Sequence, residues 1–140
     1  MTNISTDILT DIDESELSNF IRQLYANYSE LKSITINIGF GLRGETGYLP
    51  YQNRIDVFTA SILDDLKSGH FEVRTWGILN TQGFSACEAV AFAILHEVHH
   101  VTHESFGPKD FDEATEEILA DGFAIVEFNK YVGFFRGKHA

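Results

Sequence analysis

The chain has 140 residues, 44% of them apolar, and its 21 acidic against 10 basic residues leave a net charge of −11. That length carries one modest core, so a single domain over 1–140 is expected, and the charge excludes general binding to nucleic acid, whose phosphates would repel it. No run of about 18 apolar residues exists, which excludes a membrane-spanning helix, and a lone cysteine, Cys87, excludes an internal disulfide.

Residues 1–12 are polar and without period, and are expected to be a flexible tail. They lack the basic region and apolar core of a signal peptide. With the absence of disulfide pairs, this points to the cytoplasm. From 13 to 31, Leu17, Phe20, Ile21, Leu24, Tyr28 and Leu31 recur at helical spacing behind a cap pair, Asp13 and Glu16. Residues 33–40 alternate, with Ile34, Ile36, Ile38 and Phe40 on one face, and predict a half-buried strand.

Gly39, Gly41, Gly44, Gly47 and Pro50 then interrupt the chain; no lysine-serine pair follows, so they do not form a phosphate cradle. Residues 51–58 alternate again and predict a second strand, joined to the first as a long hairpin. A short helix over 61–68 ends at Gly69, and a third strand over 70–79 slips its alternation near Thr75, as a bulge would cause. Asn80 to Gly83 is a turn. Ser85 with Glu88 forms a capping box that opens a helix over 85–103. Gly107-Pro108 forces a break, and Asp110 with Glu113 restarts a helix to about Tyr131. The expected class is α+β, with a small, mostly antiparallel three-stranded sheet packed on the 85–103 helix. One edge strand is left free, either 51–58 or 70–79, along which an extended peptide could pair.

The 85–103 helix carries His96-Glu97-Val98-His99-His100. His96 and His100 are four apart and share a face, so both imidazoles can reach one zinc ion, and Glu97 can reach a water on that ion. The bland alternative is an exposed, histidine-rich turn without metal. Further on, Glu117 and Asp121 are again four apart on a predicted helix. Glu117 would complete a His-His-Glu ligand set, and Asp121 would hold the other ring nitrogen of a ligand histidine. Glu113 and Glu116 are rivals to Glu117 as third ligand. His99 lies off that face and reads as an exposed polar residue, whereas His103 could touch substrate or pair with an acid. Cys87, in the helix's first turn, reads as a small packed residue.

The pattern HExxH followed by Glu117-Ile-Leu-Ala-Asp121-Gly-Phe-Ala124 resembles the gluzincin metallopeptidases, in the style of minigluzincins, the ImmA/IrrE type and Ste24/HtpX-like catalytic cores. The resemblance covers about 85 to 124. It implies a minimal zincin fold, with His96, His100 and Glu117 as zinc ligands, Glu97 as general base on the zinc-bound water, and Asp121 orienting a ligand ring. Those relatives usually have glycine where this chain has His99. The expected activity is zinc-dependent endopeptidase hydrolysis of a protein or peptide, with His103, Tyr131, Arg54 or Tyr48 as candidates to touch substrate or steady the oxyanion. A catalytically silent, metal-binding or regulatory zincin is the runner-up, and a non-peptidase hydrolase the third reading. Lys130, Arg136 and Lys138 make the C-terminal segment basic. Its Phe134-Phe135 pair reads as packing; the sharper reading is a tail that turns back on the acidic site and restrains it.

Overall fold

The first helix, α1 (Glu14–Asn27), starts where the Asp13 carboxylate accepts from the backbone N–H groups of Ser15 and Glu16. Leu17, Phe20, Ile21 and Leu24 are all buried along one stripe. The helix is shorter than its apolar spacing suggests, because Tyr28 takes extended angles and a 3-10 turn over Ser29–Ser33 follows. Leu31 stays fully buried from that turn, so the apolar period is kept although the helix is not. This is a computed structural model, and it describes residues 2–5, 12–68, 85–104 and 113–131. The expected strand 70–79, the turn at 80–83, the break at Gly107-Pro108, the restart at Asp110 and the tail beyond 131 lie outside the described residues.

Among these, the strands are β1 (Thr2–Ser5), β2 (Thr35–Gly39), β3 (Gly47–Leu49) and β4 (Arg54–Phe58), in sheet order β1-β2-β4-β3. The sheet is mixed rather than mostly antiparallel. β2 runs parallel to both β1 and β4, and only β3 with β4 is antiparallel. Two expectations are corrected by this. Part of the segment read as a flexible tail, Thr2–Ser5, is a strand paired with Ile36–Gly39. The two main strands are also not a hairpin: the chain leaves β2, returns along β3, and turns through Pro50–Gln52 into β4.

Asn53 makes that turn possible with left-handed angles (φ 49), which asparagine tolerates better than most residues. It is exposed and immediately precedes β4. Gly41 (φ 74) also sits in the left-handed region, just after β2. Strand β4 lies between β2 and β3, so of the two candidate free edges 51–58 is excluded; the edge beside β4 among the described residues is β3.

Ile34, Ile36, Ile38 and Phe40 are all buried, as their alternation demands, and Ile55 and Val57 join them from β4. Helices α2 (Thr59–Ser68) and α3 (Ala86–Glu104) follow. The start of α3 is reciprocal: the Ser85 hydroxyl accepts from the Glu88 N–H at 3.2 Å, and the Glu88 carboxylate accepts from the Ser85 N–H at 2.8 Å. From Cys87 to Leu95, α3 is buried almost all round, through Ala89, Val90, Ala91, Phe92, Ile94 and Leu95. Helix α4 (Glu113–Tyr131) packs along it. The Phe92–Phe128 ring contact at 6.3 Å and the His103–Glu116 contact at 3.4 Å make the pair antiparallel. No helix among the described residues is long and apolar enough to cross a membrane.

Candidate metal centre

After Leu95 the buried face of α3 changes from apolar to polar. His96 and Glu97 are 9% and 8% exposed, so both are held inside rather than presented to water. One turn later His100 is half-buried on the same side, as four-residue spacing requires. From α4, Glu117 reaches both rings: its carboxylate lies 2.6 Å from His96 Nε2 and 3.3 Å from His100 Nε2. The two Nε2 atoms are themselves 3.3 Å apart. Ligand atoms around a tetrahedral ion with bonds of about 2.0 Å sit roughly 3.3 Å from one another. The separation of the two Nε2 atoms matches that spacing, while the Glu117 carboxylate turns one oxygen to each ring, Oε2 to His96 and Oε1 to His100. His96, His100 and Glu117 thus form one of two groups among the described residues able to hold a metal ion.

Asp121, one turn beyond Glu117 and 3% exposed, accepts from His96 Nδ1 at 2.6 Å. This fixes the ring and leaves Nε2 aimed at Glu117 and His100, the arrangement by which a carboxylate orients a ligand imidazole. Burial opposes charge on His96. The Asp121 hydrogen bond and the nearby carboxylates of Glu97, Asp121 and Glu117 outweigh it, so the ring's pKa is raised.

Glu97 Oε2 stands 3.9 Å from His96 Nε2, and Oε1 accepts from the backbone N–H of Tyr48 at 3.0 Å. Burial is the main cause that pushes the Glu97 carboxyl up to about 7; Glu117 and Asp121 push the same way, while His96 and the Tyr48 amide oppose it. A carboxyl so tuned can take and return a proton near neutral pH.

The remaining site candidates separate clearly. His103 Nε2 meets Glu116, not the first cluster's carboxylate. Arg54 is paired through Nε and a terminal nitrogen with both oxygens of Asp56, at 2.7 and 3.0 Å. Tyr131 is not at the site: it is 2% exposed, its hydroxyl accepts from Asn27 Nδ2 at 2.8 Å, and its ring meets Phe20 edge-on. It also lies 14 residues beyond Glu117 on α4, roughly 21 Å along the axis at 1.5 Å per residue. Tyr48 contributes through its backbone, a contact no side-chain motif encodes. His99, read as exposed, is half-buried among the rings of His100, His103 and Phe123. The rival ligand Glu116 belongs to a second group with His99 and His103. The sequence did hold a signal for it: a second pair of histidines four apart, and two consecutive glutamates facing them.

Cys87 is a packed residue, 3% exposed, and its sulfur accepts from the Asp13 N–H at 3.1 Å. Burial pushes its thiol up to about 11, which disfavours the thiolate at neutral pH. Comparison of the chain with known protein families, curated proteins and solved structures finds no match.

Proposed function

We propose that the chain is a zinc-dependent endopeptidase of the gluzincin type on a minimal zincin fold, cleaving a protein or peptide in the cytoplasm. The observation that carries this reading is the convergence of His96 Nε2, His100 Nε2 and the Glu117 carboxylate, with Glu97 beside them on the same helix. The donor set fits the ion, since two imidazoles and one carboxylate leave a fourth position open. Zinc held there would supply Lewis-acid polarisation of a scissile carbonyl and a water acidic enough to ionise near neutral pH.

The residues around that position divide the rest of the work. Asp121 keeps the His96 ring oriented through Nδ1. Glu97 takes the proton from the attacking water at Oε2 and returns it to the leaving amine, while Oε1 stays anchored on the Tyr48 N–H. Because that N–H donates to Glu97, the outer side of edge strand β3 faces the general base. A peptide extended along that side would carry its backbone carbonyls past Glu97. A silent metal-binding protein has no chemical use for a buried carboxyl held in this way, and this favours the enzyme over the regulatory alternative.

The test is a digest of a peptide library by the zinc-loaded chain, read by mass spectrometry, beside Glu97→Gln. Cleavage by the wild type should fall about 10²–10⁴-fold in the variant, the usual contribution of general acid–base catalysis, while the zinc content stays the same. Equal rates in the two chains would refute the role of Glu97. A zinc-loaded wild type that cuts no peptide would favour the silent alternative.

A further inference from the structure

Beside the first group, the same two helices carry a second set of donors that shares no residue with it. His99 and His103 are four apart on α3, and Glu116 faces them from α4. Each offers one ligand atom, and these atoms lie within 4.8 Å of one another. We propose that His99, His103 and Glu116 form a second divalent-cation site, next to the first, so that the helix pair holds two zinc ions or comparable first-row cations side by side.

Glu116 carries the argument. It is 2% exposed, and neither of its carboxylate oxygens accepts a hydrogen bond among the described residues. A carboxylate so far removed from water is strongly unfavourable unless a cation or several donors compensate it. The His103 ring approaches Oε1 only to 3.4 Å, outside hydrogen-bond geometry, and it compensates only if protonated. A divalent cation would compensate the carboxylate more completely and bind the neutral rings as well. Two imidazoles and a carboxylate are a donor set that first-row divalent ions accept, and hard calcium or magnesium, which prefer oxygen alone, do not match it.

The surroundings limit how the donors can move. The His99 ring lies 5.4 Å from that of Phe123, on α4, and 5.3 Å from that of His103. It is therefore walled by an aromatic on one side and held near its partner on the other. Adjacency to the first group follows from the sequence: His99 precedes His100 and Glu116 precedes Glu117, with the His99 and His100 rings 5.9 Å apart. This site does not depend on peptide hydrolysis, so it can stand or fall separately from the proposed activity.

The test uses the full chain, stripped with a chelator, reloaded with zinc and desalted, with the metal-to-protein ratio read by elemental analysis. Wild type should retain two zinc ions. Glu116→Gln and the less buried His103→Gln should each retain one, as should Glu117→Gln, and the double variant Glu116→Gln/Glu117→Gln should retain none. Circular dichroism on every chain establishes that metal loss is not unfolding, and His103→Gln carries the test if Glu116→Gln does not fold. One zinc in wild type, kept by Glu116→Gln and His103→Gln and lost in Glu117→Gln, overturns the second site and leaves the peptidase centre standing. One zinc lost in Glu116→Gln but kept by Glu117→Gln overturns the pair and removes the metal from the proposed catalytic position. A wild type that binds no zinc overturns both.

Discussion

The two ends of the α3–α4 pair are built from the same backbone geometry but opposite chemistry. At one end Ala89, Phe92, Ala124, Phe128 and Tyr131 are buried against one another and against α1, and the polar contacts there are structural. Asn27 donates to Tyr131, and the Tyr28 hydroxyl donates to Glu127. At the other end His96, Glu97, Glu116 and Asp121 occupy positions just as buried, with His99, His100, His103 and Glu117 beside them. An apolar side chain at any of these sites would add to the core at about 25 cal/mol per Å² of apolar area removed from water. The wet end forgoes that stabilisation and concentrates carboxylates that repel one another. The dry end supplies the apolar packing between the two helices, and the wet end supplies the converging polar side chains.

That division makes a sharp prediction for Asp121. It lies at the wet end and touches His96 Nδ1, not the converging Nε2 atoms, so Asp121→Asn should keep zinc but bind it about 10–100-fold more weakly. Competition against a chromophoric chelator measures this. Unchanged affinity would mean that Asp121 does not orient a ligand ring, and the boundary between the two ends would have to move towards Glu117.

What could be read from the sequence, and what could not, follows the same division. The wet end is legible because four-residue spacing on a helix is a rigid rule: it puts His96 with His100, and Glu117 with Asp121. The helix starts at Asp13 and Ser85 are legible for a similar reason, since in both a side-chain oxygen accepts from the backbone N–H three residues on; only Ser85 has the reciprocal bond from Glu88. The sheet is less so. Alternation assigns Ile36, Ile38, Ile55 and Val57 to the buried face but says nothing about strand direction, and the parallel β2–β4 pairing needs β3 to be recognised in a segment rich in glycine. β1, Thr-Asn-Ile-Ser, has almost no apolar signal because its pairing is made by the backbone. Tyr131 is hard to place for a related reason: a tyrosine in a helix's last turn looks available for chemistry in the sequence, whereas its hydroxyl accepts from Asn27. Helical spacing sets His99 off the face of His96 and His100, and its nearness to His103 and Glu116 is visible only when α3 and α4 are taken together.

A change at the dry end should have the converse signature. Tyr131→Phe removes the acceptor of the Asn27 amide inside the α1–α4 contact while keeping the ring on Phe20. Loss of this hydrogen bond should cost about 0.5–1.5 kcal/mol, read as a lower urea midpoint with an unchanged slope. Zinc content and peptide cleavage should not change. A fall in turnover without loss of stability would return Tyr131 to the reacting centre and break the separation of the two ends.

The smallest effect is expected at Gly122, between the wet-end Asp121 and the half-buried Phe123. It lies inside α4, where glycine costs about 0.5–1 kcal/mol relative to alanine because the unfolded chain has more freedom to lose. A Cβ there meets no described atom within 4 Å, and the backbone at Gly122 is not in the left-handed region. Nothing in the folding of the helix therefore requires glycine. Gly122→Ala should raise stability by about 0.5–1 kcal/mol in urea titration and leave zinc retention as it is, because neither Asp121 nor Glu117 has to move. Peptide cleavage discriminates further. If the variant is more stable and cuts as fast as wild type, Gly122 is only a weak point in the helix. If it is more stable and cuts more slowly, the open space over Gly122 is where substrate passes, and the wet end extends one residue further along α4 than its buried carboxylates alone indicate.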